Sequence, residues 1–229
     1  KVIKKSDIIL AVNSRIINRI KKIYNTTSKT KLLEHGFDLE DFEFEHKNAK
    51  LEKGIRFIYA GSLYPKMENT IDTLIDMLNQ ISNKVKNVEL HFYTFDNKYY
   101  EKLNDKRNNF KFFNNDVVES KVLFLKIMKV NYVLQLRSFV HEEQHFKSSK
   151  FFEQLFLKKQ FIYIGEESSL SNYIEKKKLG FSILNNKNNN SKIPKILKNK
   201  NKLINSKDLG FIFNHSFEKQ IKSVLEILQ

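Results

Sequence analysis

Short apolar runs alternate along this chain with longer segments whose apolar residues recur every three or four positions, the signatures of buried strands and of helices with one buried face. Asp7 is followed by the run Ile8, Ile9, Leu10, Ala11 and Val12, then by Asn13 and Ser14, which can cap a helix carrying Ile16, Ile17, Ile20 and Ile23. A short strand is expected over 31–33, ending at His35-Gly36-Phe37-Asp38, and 43–54 reads as an exposed connection, acidic and then basic. Beyond it the alternation becomes regular. Strands are predicted at 55–60, 88–94, 110–113, 132–136, from Phe161, and at 180–184. Helices are predicted across Ile71, Leu74, Ile75, Leu78 and Ile81, at 98–106, at 118–129, from Lys150, and at 169–178.

Strands separated by such helices require crossover connections, hence parallel pairing with helices on both faces of the sheet. The expected fold class is α/β, a doubly wound, Rossmann-like parallel sheet. The asparagine-rich segment 185–190 is expected to be a mobile loop, and 191–229 reads as helices, the last with Phe217, Ile221, Val224, Leu225 and Leu228 on one face. There is no internal repeat.

With 229 residues, 41% of them apolar, the chain can bury a sizeable core, as one large domain or one and a half smaller ones. No stretch approaches the roughly 18–20 apolar residues of a membrane span, and the first residues lack a secretory pattern, so the chain is expected to be soluble and cytoplasmic. The absence of cysteine excludes disulfides, thiolate metal sites and cysteine nucleophiles. A net charge of +15 invites an anionic partner, either nucleic acid, a phosphate-bearing ligand or the inner face of a membrane. The lysines are spread along the chain, however, without forming one basic block, which favours a solvated basic surface over a specific anionic one.

Several segments, in order, resemble the retaining glycosyltransferases of the two-domain B-type fold, which use nucleotide-sugar donors. Gly61-Ser62-Leu63 with Lys66 is similar to the family's glycine turn and its basic phosphate ligand. His35-Gly36-Phe37-Asp38 resembles the opening of the donor-binding C-terminal domain, and 110–138 its strand, turn, helix and strand ending near a serine. Ser149-Lys150-Phe151-Phe152-Glu153 resembles the end of a pair of glutamates seven residues apart. The likeness covers about 29–229. It implies that 1–28 is the remnant of the last strand and helix of an N-terminal acceptor domain, and that the chain is a portion of a longer protein, inactive alone.

The resemblance assigns the donor ribose to Glu153, whose ionised carboxylate would offer acceptors to a vicinal diol. It assigns the diphosphate to Gly61, Ser62, Lys66, Ser148, Ser149 and Lys150, where a lysine charge and helix-start amides converge on an anion. Backbone groups of Asp116 and Val117 would read the base, and His145, Phe146 and Lys147 would line the sugar. His145 stands where the family has its first glutamate, with Glu142 and Glu143 nearby, and Ser62 where many relatives have arginine. No metal and no cofactor are expected; His91, His141 and His145 lack a ligand spacing. The reading is of a transferase moving a hexosyl unit from a nucleoside diphosphate sugar to a glycan or lipid-linked acceptor in bacterial surface polysaccharide synthesis. Its partners would be the nucleotide sugar, the acceptor domain and an anionic membrane surface. The alternatives are an epimerase of the same fold, or a basic α/β module for nucleic acid or membrane; no aromatic-basic recognition motif favours nucleic acid.

Overall fold

The computed structural model describes residues 2–25, 29–42, 54–138, 148–185 and 187–228. Its centre is a parallel sheet of six strands: β3 (Ile55–Ala60), β4 (Val88–Tyr93), β5 (Lys111–Asn115), β6 (Tyr132–Leu136), β7 (Gln160–Gly165) and β8 (Gly180–Leu184). Their order is β5-β4-β3-β6-β7-β8, all pairs parallel. Central β6 and β7 are buried at every position, as expected of strands covered on both faces. The start of β8 approaches β7 so closely that a Cβ on Gly180 would lie 1.9 Å from the Phe161 carbonyl oxygen, which only glycine avoids.

The helices divide between the two faces. Helix α3 (Glu68–Ser82) buries Ile71, Leu74, Leu78 and Ile81 against one face, joined there by Ile193 and Ile196 of α8 (Ile193–Asn199). The other face receives Phe124 and Ile127 of α5 (Ser120–Met128), Phe151, Phe152 and Leu155 of α6 (Ser149–Phe156), and Leu170 and Ile174 of α7 (Ser169–Lys176). Each such side chain contributes about 1.5–3 kcal/mol on burial, so the two apolar layers fix the sheet between them. Their first turns are locally specified: Ser148 accepts from the Phe151 amide, and Ser168 and Ser171 form a reciprocal capping box.

The first two described segments hold α1 (Val2–Lys5), β1 (Ile9–Ala11), α2 (Ser14–Tyr24) and β2 (Thr30–Leu32). Asn13 caps α2 through the Ile16 amide, and Asn25 closes it in the left-handed conformation. Strands β1 and β2 form a separate two-stranded parallel ladder, which spans both sides of residue 28.

Two sequence expectations need correction. The helix over 98–106 contracts to α4 (Tyr100–Leu103), because the Asn108 amide takes the carbonyls of Lys102 and Leu103 and ends it. The described residues of 185–190 form a pinned turn in place of a mobile loop: the Asn189 side chain bonds both the amide and the carbonyl of Leu184, and Lys187 pairs with Glu167 at 2.9 Å. The described residues of 191–229 are mainly helical, as expected, although Ser206–His215, with Gly210 in its middle, is a 3-10 stretch that precedes α9 (Phe217–Leu228).

Candidate functional site

From β3 the chain builds outward to β4 and β5, then returns to β6 and builds the other way to β7 and β8. The order reverses between β3 and β6. Loops leaving the carboxyl ends of those two strands diverge to opposite faces, and ligands of open α/β sheets bind in the crevice that results.

On the β3 side lies the turn 61–67. The Gly61 amide donates to the Tyr93 carbonyl at 3.2 Å, and the Tyr59 hydroxyl donates to the Ser62 carbonyl at 2.7 Å. A Cβ on Gly61 would stand 3.0 Å from that hydroxyl, so the turn closes tightest with glycine. Leu63 and Met67 anchor the turn in the core while Ser62, Tyr64 and Lys66 are exposed. Lys66 has φ 64, a left-handed backbone costing a side-chain-bearing residue about 1–2 kcal/mol.

On the β6 side the chain passes from Arg137 and Ser138 through 139–147 to α6. The residues assigned to the sugar, His145, Phe146 and Lys147, lie outside the described residues, as do His141, Glu142 and Glu143. Ser148, Ser149 and Lys150 form the first turn of α6, and Glu153 follows one turn later. Glu153 is half-buried, and its carboxyl is raised above the usual range by burial first and by the neighbouring Asp41 carboxylate second, with Lys150 and Ser149 opposing. The structure thus brings together Ser149, Lys150 and Glu153. Lys66 and Glu153 both belong to the carboxyl edge, but Lys66 lies in the turn that leads into α3 and Glu153 on α6, and these two helices cover opposite faces of the sheet. Asp116 and Val117 are exposed at the end of β5, two strands from β3 and so roughly 10 Å from it.

A polar network at this edge escaped sequence reasoning. Thr70 of α3 donates to the Arg137 carbonyl at 2.8 Å, tying that helix to the end of β6. Asn185, after β8, donates to Thr70 at 3.2 Å and to Glu166 at 3.3 Å, and the Tyr163 hydroxyl donates to the Glu166 carbonyl at 2.6 Å. The Arg137 charge acts on the phenols of both Tyr59 and Tyr163, though burial, which raises both, is the larger influence. The available signal was a polar residue immediately after each apolar run: Arg137, Glu166 and Asn185. Phe95 was also missed. It follows β4, between the 61–67 turn and the end of β5, with 90% of its surface exposed.

Two cavities near this edge use other side chains. One of about 520 Å³ lies between Asp72 and Asp76 of α3 and the 187–190 turn, and one of about 430 Å³ between Asn13, Arg15 and Asn18 on one side and Ser169 and Tyr173 on the other. Neither includes Lys66 or Glu153. Among the described residues no three histidine, aspartate or glutamate side chains are grouped to hold a metal ion. His91 stacks on Phe113 at 4.6 Å and bonds Glu89 at 3.2 Å, which accounts for its position structurally.

No family model matches the chain, and no curated protein does. Solved structures do match. A glycosyltransferase from Rickettsia africae is 13% identical with a TM-score of 0.64, over 96% of this chain and 62% of its own. The lipopolysaccharide outer core galactosyltransferase WaaB is 15% identical with a TM-score of 0.61, over 97% and 62%. A UDP-GlcNAc 2-epimerase from Methanocaldococcus jannaschii is 13% identical with a TM-score of 0.55, over 97% and 61%. The chain therefore has the fold of the Rossmann-like domains of B-type glycosyltransferases, and it spans less than two thirds of the length of these structures.

Proposed function

We propose that this chain is the donor-binding portion of a glycosyltransferase that uses a nucleoside diphosphate sugar. The observation carrying the proposal is the reversal of strand order between β3 and β6, flanked by a glycine turn bearing Lys66 and by the start of α6 bearing Ser148, Ser149 and Lys150. Lysine charge and free helix-start amides are complementary to a diphosphate, and they stabilise it further as it gains charge on leaving. Glu153 would hold the ribose diol, the exposed Asp116 and Val117 backbone the base, and 145–147 the sugar. The glycosyltransferases among the structural neighbours favour transfer to a glycan or lipid-linked acceptor in surface polysaccharide synthesis, with a partner domain supplying the acceptor and closure excluding water. A cytoplasmic location, peripheral to an anionic membrane, suits the net charge of +15.

A second reading, sugar-nucleotide epimerisation, is favoured by the epimerase among the neighbours, which was solved with UDP-GlcNAc and UDP. Both readings require a nucleoside diphosphate at the same edge. Titration calorimetry with UDP, GDP and ADP tests that common element: one nucleotide should bind saturably, and Lys66→Gly, which removes the charge while relieving the left-handed backbone, should weaken it about tenfold. Equal binding by the variant, or tight oligonucleotide binding that collapses with salt and ignores Lys66, would end the proposal. Conversion of a bound UDP-sugar to its epimer in the absence of any acceptor would select the second reading.

A further inference from the structure

A third cavity opens at the opposite, amino edge of the sheet, between the starts of β7 and β8, the end of α7 and helix α8. Its volume is about 370 Å³, within the range of small-molecule sites, and its lining includes Gln160, Phe181, Lys178, Lys195 and Lys202. Gln160, the first residue of β7, is 6% exposed, and its Oε1 is buried with no hydrogen-bond partner. A buried acceptor left unpaired costs about 1–3 kcal/mol, which a ligand donor reaching it would recover. Lys192 is held by Glu175 at 2.7 Å and by the Ser182 carbonyl, so this pair is neutralised within the wall. Among the described residues no carboxylate pairs with Lys178, Lys195 or Lys202, which leaves three ammonium groups around the opening.

We propose that this cavity is a binding site for a phosphorylated sugar, with the phosphate held among Lys178, Lys195 and Lys202, a hydroxyl donating to Gln160 Oε1, and the sugar ring lying against Phe181. Each part of the lining has a counterpart in that chemistry. Three unpaired cations match a phosphomonoester, an amide matches hydroxyls that both donate and accept, and an aromatic face matches the apolar face of a pyranose. The site is independent of the nucleotide edge: it lies the length of β7 away, roughly 17 Å at ~3.3 Å per residue.

Titration of the chain with glucose 6-phosphate, inorganic phosphate and glucose tests this. Glucose 6-phosphate should bind at one site and more tightly than either component. Lys195→Glu with Lys202→Glu, both exposed and tolerant of change, should weaken it by about tenfold or more. Gln160→Leu should weaken glucose 6-phosphate about threefold to tenfold while leaving inorganic phosphate unchanged. Lys121→Glu with Lys126→Glu, an equal charge change at two exposed positions of α5, should have no effect. The proposal is overturned if glucose 6-phosphate and inorganic phosphate bind alike, or if this control pair weakens binding as much as the cavity variants. Vesicles bearing a phosphoinositide serve as a further arm: binding lost in the same two lysine variants would identify the phosphorylated sugar as a lipid headgroup, and no vesicle binding would identify it as a soluble ester.

Discussion

Lys159 carries an ammonium into the interior at the foot of β7, with 5% of its surface exposed and no carboxylate paired to it among the described residues. Burial lowers its pKa from 10.5 to about 8. Because the folded value is depressed, the stability available above pH 10.5 is lost as pH falls through about 8, where the unfolded chain already binds the proton. Lys159→Met should therefore stabilise the protein at pH 7 by about 1–3 kcal/mol, with the advantage shrinking towards pH 10.5, as read by urea denaturation at both values. At the other edge, Phe95 presents a bare ring beside the proposed base position. Phe95→Ala should cost about 1–3 kcal/mol of nucleotide affinity if the base stacks on it, with stability unchanged. Glu153 gives a pH signature: its raised carboxyl should begin to lose the ribose contact at a higher pH than an ordinary glutamate, and Glu153→Gln should flatten that profile in calorimetry.

Elements were legible wherever one residue pattern decided them. Strands β6 and β8 are found at the predicted bounds, β6 because an apolar run buried on both faces has no competing period, and β8 because Gly180 marks its start. Helix α4 was over-read because the Asn108 side chain, distant from any periodicity, terminates it. The same limit governed the site. Gly61, Lys66 and Glu153 were visible as types in sequence, whereas the Thr70, Arg137, Glu166 and Asn185 network forms only when four separate elements meet. Helix ends also carry local cost. Lys158 closes α6 at φ 60, with its amide bonded to the Leu155 carbonyl, a position that favours glycine. Lys158→Gly should raise stability by about 0.5–1 kcal/mol in thermal unfolding, because the left-handed penalty disappears.

Among the described residues, exposed apolar side chains include two groups carried by helices and the small sheet. Phe217, Ile221 and Leu225 form an exposed stripe along α9, and Leu10, Ile23 and Leu32 are exposed on the first small sheet and its helix. Ile221 and Leu225 are already 58% and 53% exposed, so replacing both by serine should change stability by less than about 0.5 kcal/mol. The same double variant should reduce self-association in sedimentation velocity, since the stripe is the apolar patch it removes.

The junction of β3 with β6 also governs assembly. Arg56 and Asn131, bonded across it at 2.8 Å, are 75 residues apart in sequence, whereas β3 with β4 and β6 with β7 pair through much shorter connections. Loop-closure entropy costs more across this seam than within either half, which predicts that the seam closes after both halves and that the crevice above it is completed last. A nucleotide held from both halves would act as a late rivet, slowing unfolding far more than it speeds refolding.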